Sequence, residues 1–127
     1  EGMYQHFKAI ADSTTLPIYL YNVPGRTGVN MQPETTIRLA KECSNIIGFK
    51  AASGNIEQIK KLIAMKPDTL DVLSGDDGLT YDIMKAGGVG VISVFGNGNL
   101  PTQSIFALSL GQTYTIDFKV SNLFVTR

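Results

Sequence analysis

The sequence predicts an α/β domain built on parallel strands, and three observations carry that prediction. Short apolar segments alternate with helical patterns four times between Tyr4 and Val94. The segment Val89 to Val94 is apolar or small at nearly every position, the character of a strand covered on both faces. Polar residues able to do chemistry fall just after the apolar segments, where parallel α/β folds place their active face. This order of elements favours parallel strands joined by right-handed helical crossovers, in either an open doubly wound sheet or a closed eight-stranded barrel.

The elements follow in order. Tyr4, Phe7, Ile10 and Ala11 recur at helical spacing, and the polar stretch Asp12 to Thr15 ends that helix. Pro17 to Tyr21 is a buried strand, with proline at its start, where a missing N–H costs least. Asn22 to Gly28 has the proline and glycines of a loop. Pro33-Glu34 opens a second helix, because proline at the first turn loses no hydrogen bond and glutamate suits the positive end of the dipole. Ile46 to Lys50 is the second strand, and Ile56 to Met65 a helix with Ile56, Ile59, Leu62 and Ile63 on one face. Leu70 to Ser74 is the third strand and Leu79 to Ala86 a helix stopped by Gly87-Gly88. Val89 to Val94 is the fourth strand. Beyond Pro101 the pattern breaks: Ser104 to Leu110 suits a short helix, and Tyr114, Ile116, Phe118 and Val120 alternate like a half-exposed strand.

The 127 residues, 43% of them hydrophobic, suit one core. Eleven basic residues balance eleven acidic ones, so no charge footprint points to nucleic acid or an anionic membrane. One cysteine, Cys43, and one histidine, His6, exclude an internal disulfide and a cysteine or histidine metal cluster, and a reducing cytoplasm fits. No run reaches the length of a membrane span, and the start Glu1-Gly2-Met3-Tyr4 reads as an internal start and not as a signal peptide. His6 suits a surface position and Cys43 a partly buried one. Asp76-Asp77 suits helix capping better than calcium binding, and Gly87 to Gly90 precedes a strand, which a dinucleotide-binding glycine loop does not.

Lys50 is the sharpest candidate. A lysine closing an apolar strand can lay four methylenes along the strand face and place its amine among hydrophobic neighbours, where burial disfavours the charged form of an amine. A neutral amine adds to a ketone to give an imine, which then stabilises an enamine. Tyr21 could shuttle protons and Arg26 could hold a carboxylate with its fork. Read from the residues alone, a lysine snorkelling to solvent, an aromatic core residue and a solvated loop charge remain open for the three.

Tyr21-Asn22-Val23-Pro24-Gly25-Arg26-Thr27-Gly28, Gly48-Phe49-Lys50-Ala51-Ala52-Ser53-Gly54-Asn55, Leu73-Ser74-Gly75-Asp76-Asp77 and Gly90-Val91-Ile92-Ser93-Val94 resemble, in that order, the motifs of the dihydrodipicolinate synthase / N-acetylneuraminate lyase family. The resemblance covers residues 1 to about 97. It implies the second half, about strands 5 to 8, of a (β/α)8 TIM barrel over 1–97, followed by a divergent tail over 98–127. It further implies that Lys50 forms a Schiff base with pyruvate and that Tyr21 donates and accepts protons. Arg26 would bind the carboxylate of the incoming aldehyde, Ile92 would offer main-chain contact to pyruvate, and Gly75 would line the pocket. The implied reaction condenses pyruvate with aspartate semialdehyde on the diaminopimelate route to lysine, without a cofactor, in a cytoplasmic homo-oligomer, a tetramer in the family. N-acetylneuraminate lyases and keto-deoxy sugar acid aldolases share the lysine and tyrosine, and Arg26 resembles the synthases more.

The chain also departs from the family. The family's threonine and intersubunit tyrosine lie ahead of Glu1, Ala51 replaces the usual acidic residue, and the helices after residue 97 are replaced by the alternating tail. A frameshifted or differently spliced end would produce that tail, and sequencing the codons for Gly96 to Pro101 tests it. Two further readings compete: a phosphate-binding barrel without a Schiff base, and a non-catalytic half barrel that pairs with full-length subunits.

Overall fold

The computed structural model describes residues 1–93. In chain order these form α1 (Gly2–Asp12), β1 (Ile18–Asn22), α2 (Pro24–Thr27), α3 (Pro33–Glu42), β2 (Ile46–Ala51), α4 (Ile56–Met65), β3 (Asp71–Ser74), α5 (Thr80–Lys85) and β4 (Gly90–Val91). The expected tail and the boundary near residue 97 lie outside the described residues.

The four strands are parallel and stand in sequence order, β1-β2-β3-β4. Leu20, Phe49 and Val72 are partners across the ladder, and so are Asn22, Ala51 and Ser74. Because strand side chains alternate between faces, both rows project to one side. There Leu20, Phe49, Ala51 and Val72 join one core with Tyr4 and Ala11 of α1, Ile37, Leu39 and Ala40 of α3, Ile59 and Leu62 of α4, and Ile83 of α5. Leu20, Leu39, Leu62, Leu70, Val72 and Ile83 have almost no exposed surface. Truncating one such leucine to alanine typically costs about 2–5 kcal/mol.

All four longer helices therefore cover the same face. A doubly wound sheet carries helices on both faces, whereas a barrel carries them only outside. Of the two architectures open to the sequence, the structure is a segment of a barrel, and the bare face with Tyr19 and Tyr21 is its inner wall.

Local chemistry sets the element ends. Pro33 stands in the first turn of α3, and Asn55 caps α4 by accepting from the Gln58 N–H at 3.1 Å. Gly87, at φ 111°, follows α5 in a conformation that excludes most side chains. Three expectations shift. The loop after β1 contains one helical turn, α2, closed by Gly28 at φ 70°. The helix expected from Leu79 divides into a 3-10 turn, Asp77–Leu79, and α5. Among the described residues β4 covers Gly90 and Val91, which align with Leu73 and Ser74 of β3, and Val94 of the expected strand lies outside the described residues.

Candidate functional site at the carboxyl end of the sheet

Lys50 is the penultimate residue of β2, and its ladder partner on β1 is Tyr21. Partners in a parallel ladder project from the same face, so both side chains rise from the inner wall. The Lys50 Nζ stands 4.3 Å from the centroid of the Tyr21 ring, within the range where a cation is drawn to an aromatic face. Lys50 is half-buried.

Gly75, directly after β3, explains the path of the lysine. Its N–H donates to the Ala51 carbonyl at 2.7 Å, which carries the β2–β3 ladder one residue further. A Cβ at position 75 would stand 2.8 Å from Lys50 Cγ, 2.9 Å from Cε and 3.0 Å from Ala52 Cβ. The lysine stem occupies the space that any other side chain at this position would fill.

Ile92 follows β4, half-buried, and its N–H donates to the Ser74 carbonyl at 2.7 Å. A main-chain contact from Ile92 to a ligand therefore falls to its carbonyl. Arg26 is exposed on α2, its backbone N–H donating to the Val23 carbonyl at 2.9 Å. Its guanidinium makes no hydrogen bond or ion pair among the described residues. The structure thus gathers Tyr21 and Gly75 around Lys50, while Arg26 and Ile92 stand at the same end of the sheet, after β1 and β4.

Two polar networks that the sequence reading missed frame this end. Asn22, buried at the end of β1, donates from Nδ2 to Asn30 Oδ1 at 2.9 Å and accepts from the Met31 N–H at 3.0 Å. Gln58 on α4 donates from Nε2 to Asn30 Oδ1 at 3.1 Å and to the Met31 carbonyl at 2.9 Å. The segment carrying Arg26 is therefore tied down at both ends. In the second network, fully buried Ser74 donates to the Asp76 carbonyl at 2.7 Å and accepts from the Thr80 hydroxyl at 3.1 Å. Asp76 caps the 3-10 turn by accepting from the Gly78 N–H at 3.0 Å, the capping role expected of this pair. The one available signal was polar residues at strand ends, Asn22 and Ser74.

The inner wall also holds Tyr19, whose hydroxyl is held above its ordinary value by burial and, secondarily, by the Asp71 carboxylate. His6 is exposed and meets Phe7 edge-on at 5.0 Å, and Cys43 is buried behind α3. Among the described residues no group of three or more His, Cys, Asp or Glu is placed to hold a metal ion.

Comparison with known proteins shows the family. The model of the dihydrodipicolinate synthetase family matches residues 1–116. The 4-hydroxy-tetrahydrodipicolinate synthase of Phocaeicola vulgatus is 53% identical over 98% of this chain and 43% of its own length. That of Parabacteroides distasonis is 62% identical over 76% of this chain and 33% of its own. Among solved structures, dihydrodipicolinate synthase from Aquifex aeolicus superposes with a TM-score of 0.73 at 42% identity, covering 76% of this chain and 33% of that one. A monomeric dihydrodipicolinate synthase variant gives 0.72 at 44% identity, again covering 76% and 33%. The chain thus spans between 33% and 43% of the length of these relatives.

Proposed function

The chain belongs to the dihydrodipicolinate synthetase family, and we propose that it carries the Schiff-base portion of a 4-hydroxy-tetrahydrodipicolinate synthase, a lyase joining pyruvate to aspartate semialdehyde on the diaminopimelate route to lysine. One observation carries this reading. The amine of Lys50 stands over Tyr21 at the carboxyl mouth of the inner wall, with its stem in the Gly75 notch.

The chemistry follows from that placement. As the free base, the amine adds to C2 of pyruvate, and loss of water leaves an imine. Tyr21 is the proton carrier for this dehydration and for removal of a proton from C3, which turns the imine into an enamine. The enamine carbon then attacks the aldehyde, and the aldehyde oxygen takes up a proton. The amino group of the second substrate closes the ring by displacing Lys50, which returns as the free amine. Ile92, whose N–H is engaged by Ser74, offers its carbonyl for main-chain contact with pyruvate, and Arg26 holds the carboxylate of the semialdehyde with two parallel hydrogen bonds. That fork supports the synthase over N-acetylneuraminate lyase or a keto-deoxy sugar acid aldolase, whose aldehydes carry hydroxyls where the semialdehyde carries a carboxylate.

The reading extends to a cytoplasmic homo-oligomer. We expect turnover by these 127 residues alone to be low, since they span between 33% and 43% of the length of the relatives. A coupled assay with both substrates that matched a full-length synthase would overturn that expectation. The Schiff base itself is tested by incubating the chain with pyruvate and borohydride and digesting it for mass spectrometry. A carboxyethyl group on Lys50, absent from Lys50→Ala, is expected. Modification spread evenly over Lys41, Lys60 and Lys61, with none preferred at Lys50, would end the proposal.

A further inference from the structure

Lys50 stands between two glycine notches on the inner wall. One row nearer the amino ends of the strands, Tyr19 pairs with Gly48 and Gly48 with Asp71. These residues precede Tyr21, Lys50 and Leu73 by two positions, or roughly 6.6 Å along each strand. A Cβ at Gly48 would fall 2.0 Å from Cε1, 2.1 Å from Cδ1 and 2.7 Å from Cζ of Tyr19. The tyrosine ring therefore lies in the place of the missing side chain, a cross-strand pairing of aromatic and glycine that fixes the ring. On the mouth side of Lys50, the Gly75 notch is filled by the lysine stem.

We propose that Tyr19 is a positioning residue for Lys50: by filling the Gly48 notch, its ring closes the downward path and leaves the lysine stem only the Gly75 notch at the mouth. The inference rests on the Schiff-base reading for its catalytic meaning, though not for its geometry. Downward, the stem would meet the row of Asp71, whose carboxylate would pair with the ammonium and withdraw the amine from the mouth. Asp71 stands in the same row as Tyr19, as the ladder partner of Gly48 on its other side.

The test reads the accessibility of the Lys50 amine without pyruvate. The chain is labelled with trace acetic anhydride across a range of pH, and Lys50 is quantified against exposed Lys41 and Lys60 by mass spectrometry. Tyr19→Val, a strand former too short to cover Gly48, should slow labelling of Lys50 roughly five-fold and move its pH profile upward, as a new ion pair does. Tyr19→Phe should behave as the parent, and adding Asp71→Asn to Tyr19→Val should restore the profile. Parent-like labelling of Tyr19→Val, or equal damage from Tyr19→Phe, would overturn the proposal. If Tyr19→Val loses its cooperative melt, nuclear Overhauser contacts in the parent chain decide. Contacts from the Lys50 methylenes to Gly75 support the proposal, and contacts to Gly48 overturn it. A missing pyruvate adduct, by contrast, counts against the Schiff-base reading alone.

Discussion

Replacing Gly75 with alanine should disable Lys50 without unfolding the chain. Ordinary carbon contacts begin near 3.4 Å, so a Cβ at 2.8 Å from Cγ and 2.9 Å from Cε forces those atoms back by about 0.6 Å and 0.5 Å. Two neighbours could yield. Ala52 Cβ, at 3.0 Å, is fixed to the backbone, whereas the lysine stem turns freely about its own bonds. The stem should yield, and at its far end the amine moves by about 1 Å. Misplacement of that size costs on the order of 100-fold in a reaction that depends on alignment. The rate of borohydride-trapped adduct formation should fall about 10- to 100-fold. Stability should change by less than about 1 kcal/mol, because the new methyl is buried while a flexible chain absorbs the strain. Thermal unfolding followed by circular dichroism should shift by no more than about 4–8 °C. Trapping at the parent rate would refute the reasoning. So would a loss above about 3 kcal/mol with normal trapping, since the backbone would then have absorbed the clash.

Three further outcomes are expected. Tyr21→Phe keeps the ring beside the amine and removes only the hydroxyl, so adduct formation should slow about 100-fold or more while Lys50 remains the labelled site; an unchanged rate would remove Tyr21 from the proton relay. Asn22→Ala leaves the Met31 N–H without its acceptor, while Asn30 keeps Gln58, and should cost about 1–3 kcal/mol in urea unfolding, and a smaller loss would show that water replaces the amide. The third concerns Glu42, which accepts from the Tyr4 hydroxyl and from Arg38 Nε at 3.1 Å, so that its carboxyl lies below its ordinary 4.5. A depressed carboxylate contributes stability that is complete above pH 4.5 and is lost as pH falls through the lower folded value. Glu42→Gln should therefore flatten the acid limb of melting temperature against pH, and an unchanged limb would show that this clamp between α1 and α3 contributes nothing.

The repeating architecture was legible because each apolar segment is short and bounded by its own stop signals. Ile56 to Met65 was readable to the residue, since Asn55 opens the helix and Pro67 soon follows its last turn. The position of Lys50 was legible for the same reason: a charge at the end of an apolar run needs an outlet. Register was not. The irregularity between Ile18 and Tyr19 decides that Tyr19 meets Gly48 and Tyr21 meets Lys50, and no local pattern announces it. The span of β4 read as longer than its ladder because apolar Val89 and Ile92 flank the two residues that find partners. The turn of α2 was hidden because Pro24-Gly25 suits a loop as well as a first helical turn, and only Gly28 in its left-handed conformation separates the two. Gly75 entered by resemblance alone, and the physical reason for it became visible only with the lysine stem in place.

Anchorage of the Arg26 segment has an evolutionary consequence. Asn22 clamps one end and the Asn30–Gln58 pair the other, so the intervening stretch is a cassette. Its residues, Arg26 among them, can be exchanged while Lys50 and Tyr21 keep their places on the strands. Under the proposed function, a lineage could thus change the partner of the condensation without rebuilding the strands that carry the amine.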